Sequence, residues 1–366
     1  MKASHEVTPV VGLTNAELWP IVEEAAGTEV ASFDIRMEHQ RPEPYGFSAE
    51  KEIPTFDYVT ETGQAGRVTV FVKRFHRMGP AESQQYRFLA AHQAPIPRMY
   101  GALLGADERE ILFLEYVDTS REARSIRAAD RLLEFVALMA RFHAIRPSPE
   151  YKAWLEQQAG RFADAVASAG PALELIWDYA RKCELGRDLK DFCSSAGPGG
   201  LRRLQSLVRQ VMDRSQRMPQ GLIHTDFSTE NTGRRQTGEA VVLDIEWVKL
   251  GPWCFDVAEL LGTPPERWRR DLSQGELARQ YLEEYARWGG SPPPLEVFMD
   301  DIGILWKADI LRYLDWDLNR ALGGSAESPA DDDERRACCD HLYRTLSMLL
   351  AQYRLRGTKH SALDRW

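Results

Sequence analysis

The chain has 366 residues, 43% of them hydrophobic and 28% charged, which suits one large two-lobed domain or two ordinary ones with a sizeable core. Its formal net charge of -9 excludes a general nucleic-acid binder, which would carry a basic stripe, and is compatible with a cationic small-molecule partner. The first fifteen residues lack a signal-peptide apolar core and no run of about 18 apolar residues occurs, so the reading is a cytoplasmic protein with no membrane partner.

Residues 1–15 read as a tail, with Asn15 capping a short helix from Ala16 to Glu24. Strand character follows at Val30–Met37, Thr55–Thr60 and Val68–Phe75. Residues 40–52 read as the loop joining the first two strands, and TGQAG at 62–66 as a hairpin turn. A helix is expected from about Pro80 to Ala91, with Pro at an early position. Two more strands, Arg98–Leu104 and Ile111–Val117, are joined by the turn GADERE. Beyond Val117 the apolar period becomes helical, first over Ala129–His143 and then through most of 150–217, with breaks at AGP (169–171) and SSAGPGG (194–200). Gly221–Thr232 and Ala240–Trp247 are short apolar strand fragments around polar clusters. After Asp256 the pattern is helical again. The five cysteines (Cys183, Cys193, Cys254, Cys338, Cys339) have no metal-ligand spacing and suit a reducing compartment.

The expected fold is therefore α+β and two-lobed. A small antiparallel sheet lobe with one helix (16–117, hinge near 114–118) precedes a larger helical lobe (118–366), and a cleft between such lobes is where ligands bind.

The strongest chemical signal is IHTDFSTENT, Ile223 to Thr232, with His224, Asp226 and Asn231 in the pattern H-x-D-x-x-x-x-N. The chain holds eight histidines, 24 aspartates and three asparagines. Random placement gives that triple roughly 0.004 times per chain, so coincidence is a poor account of it. A strand ending at Ile223 delivers Asp226 to a loop, and Asn231 returns an amide oxygen to the same space. The turn GRRQTGE then leads to VVLDIEW, which brings Asp244 back beside Asn231. Phosphoryl transfer needs a carboxylate to orient and deprotonate the attacking hydroxyl, with oxygen ligands for Mg²⁺ beside it.

HTDFSTEN, LDIEW and then GPWCFDVAEL together resemble the catalytic core of aminoglycoside phosphotransferases and choline-kinase-like enzymes. The match is close over about 40 residues, and it implies a two-lobed protein-kinase-like fold. The resemblance implies Asp226 as catalytic base and Asn231 and Asp244 as Mg²⁺ ligands. His224 supports the loop, and Asp256 opens a helix behind it, although Asp256 with Glu259 also reads as a helix-capping D-x-x-E. Glu246 resembles the acid that choline-kinase-like sequences carry two places after the metal-binding Asp. Thr225 and Phe227 stand where Gly and Leu are common, and neither change touches a ligand group. In VTVFVKRF, Lys73 resembles the kinase lysine that holds the α- and β-phosphates. Glu82, the acid on the following helix, is its candidate partner, at a separation shorter than the family usually shows. ILFLEYVD resembles the hinge, which implies that the Glu115 carbonyl and the Val117 N–H bond adenine. Backbone recognition leaves ATP and GTP both compatible. No GxGxxG occurs; Gly46 and Ser48 are the residues that offer N–H groups to phosphate, or form an ordinary turn.

Acids interleaved with aromatics mark two acceptor candidates: ELIWDY with Asp178, and WKADILRYLDWDLN with Trp306, Asp309, Asp315, Trp316 and Asp317. Such groups suit an amine-bearing polyol, and at helical spacing they equally suit core packing. The reading is an ATP- and Mg²⁺-dependent phosphotransferase acting on a small-molecule hydroxyl, as a monomer or homodimer. Alternatives are a choline-, homoserine- or sugar-kinase-like metabolic role, and a nucleotide-binding scaffold without turnover. A protein kinase is disfavoured, because no Arg follows the catalytic-loop His and neither DFG nor APE appears.

Overall fold

The computed structural model describes residues 10, 12–37, 49–78, 82–158, 162–182, 184–262, 272–324 and 330–355. Two compact units emerge, one built from the described residues up to Ile126 together with Phe227–Trp247, the other from Arg127–Asp226 and the described residues from Val248 on.

The first unit opens with helix α1 (Asn15–Ala26). Its N-cap is Thr14 rather than Asn15, because Thr14 and Glu17 form a reciprocal capping box: the Glu17 N–H donates to Thr14 Oγ1, and the Thr14 N–H donates to Glu17 Oε2 at 2.8 Å. Gly27, at φ 70°, ends the helix in the left-handed conformation. Strands β1 (Val30–Met37), β2 (Ala49–Glu52), β3 (Pro54–Thr60) and β4 (Ala65–Met78) follow, then helix α2 (Ser83–Ala91) and strands β5 (Met99–Leu104) and β6 (Arg109–Glu115). The sheet runs β1-β3-β4-β6-β5, with β2 also on β4, and all its pairings are antiparallel. Residues 49–52, expected in a loop, form a strand because β4 extends to Met78 and offers them a free ladder.

Alternation along β4 divides its side chains between two faces. Val70 and Val72 join Leu18, Ile21 and Val22 of α1 and Ile111 and Phe113 of β6 in one core. The helix lies so close that a Cβ on Gly101 of β5 would come within 2.2 Å of the Ile21 side chain. Lys73 and Phe75 therefore project from the opposite face, where the Lys73 ammonium sits 4.8 Å from the Phe75 ring centroid.

The second unit is mainly helical. Helices α3 (Ala129–His143), α4 (Pro149–Gln158), α5 (Phe162–Ala167), α6 (Ala169–Arg181) and α7 (Arg187–Arg217) lead to strand β7 (Gln220–Ile223). The break expected at 169–171 is reduced to Ser168, and SSAGPGG becomes a kink at Gly197 inside α7. Strands β8 (Thr232–Arg234) and β9 (Ala240–Val242) form a hairpin that belongs to the first unit. Strand β10 (Lys249–Pro252) returns to pair with β7. Helices α8 (Phe255–Gly262), α9 (Gln274–Arg287), α10 (Leu295–Arg312), α11 (Leu314–Ala321) and α12 (Asp332–Leu355) complete the chain. An aromatic stack of Trp253, Tyr281, Tyr285 and Phe298 anchors α9 and α10 beside α8, with Trp253 and Tyr285 at 4.3 Å between centroids. The sheet lobe and the helical lobe accord with the α+β class expected from the sequence. Among the described residues, no helix is long and apolar enough to cross a membrane.

Candidate active site

The first unit gathers three carboxylates around one lysine. Lys73, in mid-β4, is 5% exposed at its side chain. Its Nζ lies 3.1 Å from Glu82 Oε2, 2.7 Å from Asp244 Oδ1 and 3.9 Å from Glu246 Oε2. Burial alone would pull the ammonium's pKa down, but the charges of Glu82, Asp244 and Glu246 more than offset it and hold Lys73 firmly protonated. Burial raises the Glu82 carboxyl to about 7, against the opposing pull of Lys73 and with help from Asp244 and Glu246.

The short separation between Lys73 and Glu82 is bridged by a tether. Glu82 sits at the N-cap position of α2, outside the helix proper. Its N–H donates to the buried Glu110 Oε2 at 2.7 Å, and the Ser83 N–H donates to the same oxygen at 3.3 Å. Glu110, on β6, thus fixes the entry of α2 and turns Glu82 toward the lysine. The sequence carries no mark of this, because an acid opening a strand reads as a surface residue.

Asp244 and Asn231 come together through the β8–β9 hairpin. The register pairs Thr232 with Val242, and the Leu243 N–H donates to the Asn231 carbonyl at 2.9 Å. Asp244 follows in the left-handed region at φ 53°, a conformation that aspartate tolerates better than most residues. A 3-10 turn over Ile245–Trp247 carries Glu246 back, and its carbonyl accepts from Gln85 Nε2 of α2 at 3.4 Å.

Carboxylate oxygens from Glu82, Asp244 and Glu246 lie within 4.8 Å of one another. Glu82 Oε1 is buried and has no hydrogen-bond partner among the described residues. Hard oxygen donors with net negative charge and one unsatisfied acceptor fit a hard divalent cation such as Mg²⁺.

The second unit holds the Asp226 loop by its backbone. After β7, Asp256 of α8 accepts the His224 N–H on Oδ2 at 2.7 Å and the Thr225 N–H on Oδ1 at 2.6 Å. His143 Nε2 donates to Asp256 Oδ2 at 2.8 Å, and its Nδ1 lies 2.8 Å from the Tyr281 hydroxyl. Burial would raise the Asp256 pKa, but the His143 hydrogen bond and the His143 and His224 charges hold it below the ordinary value. Asp256 therefore holds the loop's backbone from the first turn of α8. His224 acts through its N–H, while its ring packs edge-on to Phe142 at 6.1 Å.

Thr225 is the strained member of this loop. A β-branched residue at φ 68° is a true outlier, at a cost of about 1–3 kcal/mol. Its carbonyl accepts from Arg312 Nη2 of α10 at 2.7 Å. Arg312 also pairs with Asp309 at 2.8 Å and lies over the Phe255 and Tyr313 rings at 5.1 and 4.3 Å. Asp226 is exposed at the head of the loop. Burial first, then Asp309 and Asp226, push Glu259 up to about 7, although water reaches its side chain.

The remaining expected residues are distributed as follows. Glu115 ends β6, where its carboxylate holds Arg235 at 2.9 Å, and Val117 is buried just before Asp118, which exchanges two backbone bonds with Arg234. Gly46 and Ser48 lie outside the described residues. Asp178 pairs on the surface of α6 with Lys182 at 2.7 Å. Asp309 faces Arg312, and Asp317 is buried against His341 of α12 at 2.8 Å. Asp315 and Trp316 are exposed, and Trp306 is half-buried on α10. The aromatic-acid segment is thus split among several partners. His143, Glu110 and Arg312 escaped sequence reading. His143 sat in an apolar helical stripe, and Arg312 had no motif around it.

The sequence profile of the phosphotransferase enzyme family matches residues 55–296. Two solved structures share the fold. One is an aminoglycoside phosphotransferase from Alicyclobacillus acidocaldarius, with a TM-score of 0.54 at 13% identity, covering 91% of this chain and 95% of that one. The other is an ethanolamine kinase from Plasmodium vivax, with a TM-score of 0.53 at 12% identity, covering 88% and 83%. No curated protein matches the chain.

Proposed function

The chain belongs to the phosphotransferase enzyme family, and from that premise we propose that it transfers the γ-phosphoryl group of ATP to a hydroxyl of a small molecule. The observation that carries this reading is the buried Lys73, held by Glu82 and in contact with Asp244. A fully protonated lysine fixed by one carboxylate is a ready partner for nucleotide phosphates. Glu82 keeps it oriented after Asp244 exchanges it for other ligands. Asp226 accepts the proton of the attacking hydroxyl, and its exposure at the head of a pinned loop supports that role. Asn231 and Asp244 would hold Mg²⁺, with Glu246 nearby. When bound, the ion neutralises charge on the phosphate oxygens. Glu115 and Val117 would offer backbone groups to the adenine, an arrangement that serves GTP as well.

For the acceptor, Glu259 and Asp226 present exposed carboxylates on the second unit, with Tyr313 near them. That surface supports an amine-bearing alcohol, whether an amino-polyol or a metabolite of the choline, homoserine or sugar type. A reducing cytoplasm suits the thiols of Cys193, Cys254, Cys338 and Cys339, all free. ADP release, measured across a panel of amino-polyols and simple alcohols with Mg²⁺ and either ATP or GTP, tests the reading. Turnover with at least one alcohol is expected. Nucleotide binding without turnover on any acceptor would instead favour a scaffold.

A further inference from the structure

The residue before Asp226 is threonine, and it occupies the left-handed region at φ 68°. Such a conformation in a β-branched residue persists only where its surroundings over-determine it. Both backbone groups of Thr225 are pinned. Asp256 accepts its N–H at 2.6 Å, and Arg312 Nη2 donates to its carbonyl at 2.7 Å. Arg312 is itself fixed from three sides: Asp309 pairs with it at 2.8 Å, and the Phe255 and Tyr313 rings flank its guanidinium. Its side chain is only 15% exposed. A planar fork held this way presents one N–H in a fixed direction, which an ammonium on a flexible stem does not.

We infer that Arg312 is a positioning residue: by gripping the Thr225 carbonyl it holds the strained peptide, and with it sets the direction in which Asp226 leaves the loop. The carbonyl in question belongs to the peptide that joins Thr225 to Asp226, so a change of φ at Thr225 swings that carbonyl and carries the Asp226 Cα and Cβ with it. Asp256 fixes the N–H side, and Arg312 holds the carbonyl side against relaxation toward an unstrained β conformation. The catalytic consequence rests on Asp226 being the base; the conformational claim does not.

The structure also supplies the compensating change. Glycine enters the left-handed region without steric cost. With Gly at 225, the loop would keep its geometry without the Arg312 grip. Loss of ion pairing or ring packing around Arg312, by contrast, would not be repaired by a change at 225.

The test compares wild type, Arg312→Gln, Arg312→Lys, Thr225→Gly and Thr225→Gly/Arg312→Gln, with Asp309→Asn/Arg312→Gln as a variant that also removes the stranded carboxylate. Hydrogen exchange of the 221–228 segment needs no acceptor. It should speed up by about tenfold or more in Arg312→Gln and return close to wild type in the double variant with glycine. ADP release from Mg-ATP, with water as the acceptor, should show kcat falling about 10- to 100-fold in Arg312→Gln with the KM for ATP unchanged. Thr225→Gly should restore most of it, and Arg312→Lys should fall between. Unchanged loop exchange in Arg312→Gln, or failure of Thr225→Gly to rescue it, overturns the inference. Asp226→Asn is the separate control: full turnover in that variant sinks the base assignment while the exchange data still decide the role of Arg312.

Discussion

The two clusters described above are held by different physics. Around Lys73, side-chain charges balance one another: three carboxylates share one ammonium, and one of them, Asp244, reaches it from a left-handed backbone. Around Asp226, the side chain of interest is exposed, and the structure invests instead in the backbone of the two residues before it. Asp256 and Arg312 bond three main-chain groups there. A charge-held cluster can exchange partners when a ligand arrives. A backbone-held loop keeps its direction whether or not a ligand is present. The contrast fits the roles proposed for Lys73 and Asp226, a phosphate-binding group that trades contacts and a base that points one way.

Substitutions can break this contrast at either end. The largest effect is expected for Asp226→Asn, which should lower turnover by about 10²–10⁴-fold while the thermal midpoint stays near wild type, since the substituted side chain is exposed and nearly isosteric. Next, Lys73→Met should destabilise the first unit by about 3 kcal/mol in urea titrations, because it strands the buried Glu82 carboxylate. Adding Glu82→Gln should recover stability without recovering nucleotide binding, which separates the two duties of the lysine.

Asp256→Asn should cost about 3 kcal/mol at neutral pH, by weakening two buried amide bonds and the His143 contact. The pH dependence follows from the sign of the shift. The folded pKa of Asp256 lies below its unfolded value, so its contribution is complete above about pH 4 and is lost as pH falls through the folded value. Acid titration of the two proteins should therefore show curves that converge below pH 4. The smallest effect is expected for Glu259→Gln. Glu259 is raised when folded, so its ionised form disfavours the fold above its unfolded pKa, increasingly up to about pH 7. The variant should match wild type at pH 4 and exceed it at pH 8 by under about 1 kcal/mol, because water screens the group.

Much of the framework could be read in the chain. The alternation of VTVFVKRF placed Lys73 on a strand face, and the spacing of HTDFSTEN with LDIEW set Asn231 and Asp244 across a hairpin, because short-range periodicity and turn chemistry govern both. The link between Lys73 and Glu82 was less clear, since it depends on Glu110, a residue 28 positions beyond Glu82 that fixes the entry of α2. The segment 49–52 read as loop because nothing local says that β4 has a free edge beside it. The acceptor candidates fared least evenly. Asp309 and Asp317 share a helical stretch with Trp316, yet one meets Arg312 and the other His341, and only packing separates such neighbours.

The sequence by itself determined most of the order of strands and helices, β2 and β10 excepted, the hairpin that carries Asp244, and which residues are candidates for the chemistry. These rest on contacts between near neighbours, whose rules are local. Only the tertiary structure decided that Asp256 grips the loop from behind, that His143 and Tyr281 support it, and that Arg312 secures a left-handed threonine 87 residues away. Main-chain hydrogen bonds from distant side chains obey no spacing, because any donor that folding brings within reach can make them.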